Sequence, residues 1–293
     1  MELWFILSLV AAVFAGLHIF VQKVGSARGY NSSLLNGYSV GLSSAVGFVV
    51  AGFFEGFGEI SLFLIAFSFV SGVAYIVGTN LRGDALKYVD ATIFLPLHKF
   101  ISPLIALVIG LLFFDEFMSA REWMGIILGI TVPLFLISSS EKTRQNHLTK
   151  GLLLMFFSAV FAAGSAALNK EGTNIFSSVL LFASTANFFA SVVGILIYKF
   201  RRKDVEREIT ETHHHFDRGL IMLSAVGGIV QVFSFGAFIL AFSNGGPLAI
   251  VYTIHSLYIV IPIALSVIFY NEHWNMRKAI AVVLSIGAIF LMK

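Results

Sequence analysis

Apolar residues along the chain form ten long runs that are separated by shorter polar breaks. Most runs contain about 20 residues, the length that an α-helix needs to cross the hydrocarbon core of a bilayer. Helices are the expected spanning structure because they satisfy their own backbone hydrogen bonds within lipid. The pattern therefore predicts an all-α polytopic membrane protein with ten transmembrane helices. The predicted spans are 3–22, 34–54, 61–81, 91–114, 123–139, 150–168, 176–199, 219–242, 247–270 and 277–292.

A polar break in the middle of the chain, Glu141 to Lys150, leaves five predicted spans on each side and indicates a duplication. Two sequence matches support this interpretation. The segment Ala12–Gly16 recurs in similar form at Ala159–Ala163, and small residues such as Gly72 recur 156 residues later. Periodic similarity of this kind is typical of repeated structural units.

Each half has an odd number of spans, so the second half must enter the membrane from the opposite side. We therefore expect two inverted five-helix repeats, the first over residues 1–140 and the second over 141–293. This plan is common among secondary transporters.

The overall composition agrees with a membrane protein. Hydrophobic residues make up 58% of the chain, charged residues make up 12%, and the mean hydropathy is +0.90. A soluble domain carries about twice this share of charge. The net charge of +3 predicts no nucleic-acid partner, because the basic residues mostly flank apolar spans. The chain has no cysteine, which excludes disulfides and thiolate chemistry.

The basic residues also predict an orientation. The odd-numbered connections hold 15 of the 19 lysines and arginines, and these connections share one side of the membrane. Cytoplasmic loops are enriched in basic residues, so we expect both termini outside. The predicted location is the inner (plasma) membrane of a bacterium, as a multi-pass protein.

The segment Ala85–Gly129 carries a recognisable order of motifs. It reads Ala-Leu-Lys-Tyr-Val-Asp-Ala, then a proline-bearing span, then Phe-Asp-Glu and Trp-Met-Gly-Ile-Ile-Leu-Gly. The second half repeats this order through Ala241, Pro262, Glu272 and Gly287. The sequence resembles the EamA-type members of the drug/metabolite transporter superfamily, and this resemblance implies a ten-helix transporter. Small multidrug relatives carry a glutamate in the first span, which this chain lacks.

Prolines inside the spans predict where the helices bend. Proline removes a backbone donor and kinks a helix. Pro96 and Pro103 lie in the fourth predicted span, and Pro262 lies in the ninth. Interrupted helices in corresponding spans of two repeats are a pointer to a transporter's binding site. We expect these three prolines to act as hinges, although ordinary kinks without ligand contact would leave the same pattern.

Lys99 is the most unusual polar residue, because it lies between two prolines well inside an apolar span. The 156-residue offset places His255 at the equivalent position of the ninth span. An ionisable residue inside a span is costly and therefore suggests function. A cation and an imidazole near the midplane suit a carboxylate or phosphate on a substrate. The alternative is that Lys99 extends towards an interface.

Five further polar residues complete the predicted substrate site. Helical spacing places Tyr252 and Tyr258 on the same face as His255, and it places Ser102 beside Lys99. Tyr75 and Gln231 are equivalent in the two halves, and each follows a glycine by three residues. Ordinary helix packing explains Tyr75 and Gln231 about equally well.

Enzymatic motifs are absent from the sequence. There is no phosphate-binding glycine loop, no His-Glu-x-x-His and no nucleophile elbow. We therefore expect no catalytic residue and no cofactor. The histidines of the segment 213–215 lie in a long polar connection, where we expect a loop and not a metal site.

These observations predict a secondary transporter of a small polar metabolite, with amino acids and organic anions as the leading substrates. The lipid bilayer is the other expected partner, and His255 would allow proton coupling. The sequence leaves monomer and dimer open. Two alternatives remain at this point: an exporter of lipophilic drugs, and a membrane scaffold or lipid-handling protein that transports nothing.

Overall fold

The computed structural model describes most of the chain as α-helix. The described residues are 2–86, 88–89, 91–136, 148–205, 218–270 and 275–293. Eleven helices occur in them, and their bounds are α1 Leu3–Ala27, α2 Ser32–Phe54, α3 Leu62–Ala85, α4 Ala91–Phe113, α5 Ala120–Thr131, α6 Leu148–Ile175, α7 Val179–Val205, α8 Arg218–Ser243, α9 Leu248–Ser256, α10 Val260–Tyr270 and α11 Met276–Leu291.

These helices form the ten predicted spans, so the predicted fold class is confirmed. Eight spans are long and apolar enough to cross a membrane by length and composition. The fifth span is shorter, with 12 residues in α5 followed by a 3-10 segment at Val132–Leu136. The tenth span is α11, with 16 residues.

The ninth span differs from the prediction because it is broken in its middle. A 3-10 turn at Leu257–Ile259 separates α9 from α10. The fourth span is continuous, since α4 runs through both Pro96 and Pro103. Pro262 lies in the first turn of α10, where a missing backbone N–H costs no helical hydrogen bond. The predicted interruption of corresponding spans is therefore present in the second half alone.

Short polar side chains define several helix starts. Asn31 accepts hydrogen bonds from the backbone N–H groups at the start of α2, at 3.0 and 3.1 Å. Ser119 and Glu122 form a capping box at the start of α5. Asn275 accepts a hydrogen bond from Lys278 N–H at 2.9 Å and begins α11. Such caps satisfy backbone donors that have no partner within the helix.

The two halves pack together with an internal two-fold pattern. In this pattern α1 packs on α8 as α6 packs on α3, and α2 packs on α8 as α7 packs on α3. The crossings are close at equivalent glycines. A Cβ on Gly72 would lie 2.3 Å from Ala186 O, and one on Gly228 would lie 2.8 Å from Leu42 Cβ. Only glycine fits at these contacts, which set the shape of the space between the halves.

Candidate substrate-binding site

A cavity of about 140 Å³ lies between the two halves, and side chains from α1, α2, α3, α4, α6, α8, α9 and the 3-10 turn after α9 surround it. We call it the central cavity. Six of the seven predicted binding residues line it: Lys99, His255, Tyr75, Gln231, Tyr252 and Tyr258. The structure thus brings together residues that lie up to 183 positions apart in the sequence. Their role in binding remains a prediction.

Lys99 lies at the boundary of this cavity and is 9% exposed. Its Nζ is 4.1 Å from the centroid of the Tyr258 ring, which places the ammonium in contact with the aromatic face. In the described part of the chain, no acidic side chain pairs with Lys99.

His255 lies in the last turn of α9, among aromatic rings. Its ring centroid is 4.7 Å from that of Phe238 and 5.5 Å from that of Tyr258. The 3-10 turn begins two residues later, so the ninth span is broken at the level of the central cavity. The turn allows Tyr258 to reach the same space as His255.

Ser102 does not line the central cavity, because the Tyr252 side chain lies between Ser102 and the cavity. The Ser102 hydroxyl is fully buried and lies 3.0 Å from the Tyr252 hydroxyl. It is also 3.2 Å from the carbonyl oxygen of Ala159, to which it donates. Ser102 therefore positions Tyr252, and direct contact with a ligand would require Tyr252 to move.

A polar network of His18, Gln22 and Asn36 lies at the α1 side of the cavity. His18 Nδ1 lies 3.1 Å from Gly227 O, and His18 Nε2 lies 2.9 Å from Gln22 Nε2. Gln22 also donates to Asn36 Oδ1 at 2.8 Å. His18, Gln22 and Asn36 all line the central cavity. The network joins α1, α2 and α8 at the cavity wall.

Arg82 is the cavity residue that sequence reasoning missed. It lies on α3 seven residues after Tyr75, which places both on one face of the helix. Thr79 lies between them on the same face and also lines the cavity. The spacing from Tyr75 was the available signal. However, Arg82 lies near the end of a predicted span, where an arginine is expected at the membrane interface.

A second and larger cavity of about 730 Å³ adjoins the first and extends to the end of the bundle that carries the odd-numbered connections. We call it the basic vestibule. Lys99, Arg82 and Tyr258 line both cavities. No carboxylate lines either cavity in the described parts of the chain. The basic side chains that line the vestibule are Lys23, Arg82, Lys99, Arg277 and Lys278.

Neither cavity reaches the opposite end of the bundle, which we call the closed end; it carries a carboxylate contact and a cluster of phenylalanines. Glu116, 6% exposed, pairs with Lys170 and accepts hydrogen bonds from the N–H groups of Leu248 and Ala249 at the start of α9. Lys170 also lies 4.9 Å from the Phe114 ring. This contact joins α4, α6 and α9. The phenylalanine cluster comprises Phe63, Phe67, Phe176 and Phe182.

Two features of the sequence analysis lie outside the described residues. These are Glu272, the equivalent of Glu116 in the second half, and the histidines of the segment 213–215. In the described residues, no group of three or more His, Asp or Glu side chains is arranged to hold a metal ion.

Ten spans in two inverted repeats, with a polar cavity between them that reaches one end of the bundle, define the class of membrane transporters. The model of the EamA-like transporter family matches residues 2–138 and 149–293. The chain belongs to this family. It is an integral multi-pass membrane protein with a small-molecule substrate, and the expected assignment to the EamA type is confirmed.

A solved crystal structure has the same fold. It aligns with a TM-score of 0.78 at 14% sequence identity, covering 98% of this chain and 97% of the other. This likeness shows the ten-helix architecture over nearly the whole chain. No curated protein matches the chain significantly.

Proposed function

We propose that the protein is a secondary transporter that moves a small organic anion across the membrane by alternating access. The observation that carries this proposal is the charge of the cavities. Lys99 and Arg82 line both of them, and no carboxylate lines either in the described residues. The anion would bind at the junction of the central cavity and the basic vestibule.

The cost of burying charge supports an anionic substrate. An ionised side chain away from water is stable only when it is paired or hydrogen-bonded. Lys99 has an aromatic face beside it and, among the described residues, no carboxylate partner. A substrate carboxylate or phosphate would supply the missing counter-charge.

The same charges distinguish between substrate classes. An amino acid also carries an ammonium group, for which a carboxylate is the usual partner, and the described lining offers none. This favours an organic anion over an amino acid. A cationic drug would meet two like charges, so the lining also disfavours the drug-exporter alternative.

The difference between the two ends of the bundle supports alternating access. The cavity reaches one end through the vestibule, while the Glu116 contact and the phenylalanine cluster close the other. The repeats are inverted, so exchanging their conformations would close the first end and open the second. The break between α9 and α10 lies at the substrate site, where a hinge would act.

The orientation follows from the positive-inside rule. The vestibule opens at the end that carries most of the basic residues, which this rule places in the cytoplasm. We therefore propose an inward-facing state with both termini outside. Hinge roles for Pro96, Pro103 and Pro262, and proton coupling through His255, belong to the same proposal.

The proposal is tested with the purified protein in liposomes and in a melting assay. The panel holds organic acids, amino acids and cationic drugs, and the variants are Lys99→Gln and the matched control Lys293→Gln at the exposed C-terminus. We expect saturable uptake of an organic anion, and stabilisation by it because a ligand that binds the folded state raises the melting temperature. Lys99→Gln should weaken binding by roughly 30-fold or more, as expected for loss of a buried charged contact. Uptake with and without a pH gradient then tests proton coupling.

Two results would contradict the proposal. Stabilisation by cationic drugs alone, unchanged in Lys99→Gln, would indicate a drug exporter. Failure of every solute to show saturable uptake would favour a scaffold or lipid-handling protein.

A further inference from the structure

Two cations lie on adjacent spans at the junction of the two cavities, and this arrangement restricts the substrate more than one cation would. We infer that the substrate carries two negative charges, which Lys99 and Arg82 bind together, and that Arg82 is a further specificity-determining residue. This inference rests on the proposed transport of an organic anion.

The first step concerns the geometry of the junction. Lys99 on α4 and Arg82 on α3 both line the central cavity and the vestibule, and Tyr258 does so as well. The Lys99 Nζ lies 4.1 Å from the Tyr258 ring centroid. Lys99, Arg82 and Tyr258 therefore share the junction of the two cavities, where one small ligand can contact both cations.

The second step concerns charge compensation. In the described part of the chain, neither Lys99 nor Arg82 pairs with an acidic side chain. A ligand with one negative charge would leave one cation without a counter-charge when the site closes. A ligand with two negative charges neutralises both.

The third step concerns the shape of the two donors. The arginine guanidinium is a planar fork that binds a carboxylate or a phosphate through two hydrogen bonds. The lysine ammonium is a compact point charge with three donors. Together they suit either a dicarboxylate, with one group on each cation, or a single phosphate group that both cations contact. Their shared chemistry is a small dianion.

The fourth step concerns size. The central cavity of about 140 Å³ has the liquid volume of roughly five water molecules. Only the anionic part of a metabolite, a few heavy atoms, would fit there. The vestibule of about 730 Å³ leaves room for the remainder.

The experiment compares ligands that differ in charge and little in shape. Uptake into liposomes and melting temperature are measured with succinate against its monoamide succinamate, and with glycerol 3-phosphate against glycerate. The chain variants are wild type, Arg82→Gln and Arg82→Lys, with Lys293→Gln as the control. Each pair is run with chloride and with gluconate as the bulk anion, because chloride could fill the second cation.

We expect the wild type to bind at least one dianion about 30-fold more tightly than its monoanionic partner. Arg82→Gln should remove this preference by weakening the dianion while leaving the monoanion nearly unchanged. Arg82→Lys should retain much of the dianion preference. This result would show that the effect of Arg82→Gln comes from the lost charge and not from misfolding. Preference for succinate would indicate a dicarboxylate, and preference for glycerol 3-phosphate would indicate a phosphate ester.

Three results would overturn the inference. Equal binding of dianion and monoanion, or a monoanion that binds tightly only with chloride, would show that one substrate charge suffices while anion transport still holds. A dianion preference that is unchanged in Arg82→Gln would show that Arg82 does not determine specificity. Failure of all four ligands, together with the organic-acid panel, would contradict the proposed function itself.

Discussion

The two ends of the helix bundle use charge in opposite ways. At the closed end, carboxylates accept backbone N–H groups at helix starts: Glu55 from Leu180 and Leu181 at 2.9 and 3.0 Å, and Glu59 from Ser178 at 2.8 Å. Glu116 does the same at the start of α9. At the open end, cations line a cavity. Charges at the first end join helices, whereas those at the second line a cavity.

The physical reason for this difference is the helix N-terminus. The first backbone N–H groups of a helix have no partner within it and carry partial positive charge. Both α7 and α9 begin at the closed end, so carboxylates there find backbone partners. Lys99 and Arg82 lie where no carboxylate lines the cavity in the described residues. The comparison thus sets an end where charges hold helix starts against an end where charges line a cavity.

The largest expected effect comes from removing the charge of Glu116. Glu116→Gln leaves Lys170 without its counter-charge and weakens the hold on α9, which should open the closed end by about 100-fold, the order expected for breaking a buried ion pair. The chain has no cysteine, so a single Leu248→Cys reporter, fully buried in the wild type, measures this opening. Labelling by an impermeant maleimide from the closed side should accelerate.

The matched control for this variant is Glu171→Gln, which removes the adjacent carboxylate. Among the described residues, the hydrogen bond that Glu171 accepts comes from Asn174 on the same helix, at 3.2 Å. The Leu248→Cys protein that also carries Glu171→Gln should be labelled at the same rate as Leu248→Cys without it. Equal rates for Glu116→Gln and Glu171→Gln would show that Glu116 caps a helix without gating access.

A smaller effect is expected from Gly110→Ala, which disturbs the same contact by packing. The added Cβ would lie 2.5 Å from Glu116 Oε2. The carboxylate must therefore shift, and overpacking of this kind costs about 1–3 kcal/mol. The melting temperature should fall, and reporter labelling should rise less than in Glu116→Gln. Gly164→Ala is the control, since nothing lies within 4 Å of its added Cβ. Equal melting of the two variants would contradict the prediction.

The smallest effect is expected from Glu59, in the exposed connection between α2 and α3. The Ser177 hydroxyl and then the Ser178 N–H donate to this carboxylate and lower its pKa below the ordinary value of 4.5. A lowered folded-state pKa gives stabilisation that is complete above pH 4.5 and is lost as the pH falls through the folded value. The melting temperature, measured from pH 7 to pH 3, should therefore fall at the acidic end of this range. Glu59→Gln should reduce this acidic loss, and an identical pH profile would disprove the contribution.

Hydropathy predicted the ten spans because the bilayer imposes one length and one composition on each of them. It did not predict the 3-10 turn at Leu257–Ile259, because those residues are as apolar as the helices on either side. Proline was a poor guide in the fourth span. There α4 continues through two prolines, while the ninth span breaks before its own.

The cavity residues likewise divide into those that the sequence identified and those that it did not. Lys99 was identifiable because an ammonium group inside an apolar run has few structural explanations. Arg82 was not, since an arginine near a span end is usually an interfacial anchor. Recognising Arg82 requires knowing that the cavity extends towards that end of α3, and this depends on contacts between the two halves.

The buried charge of Lys99 also has an electrical consequence. A dianion bound to Lys99 and Arg82 would make the loaded site neutral, so the membrane potential would act little on its reorientation. The empty site would carry its positive charges through part of the field, at about 2.3 kcal/mol per unit charge for each 100 mV fully crossed. A voltage negative inside would then favour the inward-facing empty carrier, and current would accompany the return step instead of the loaded one.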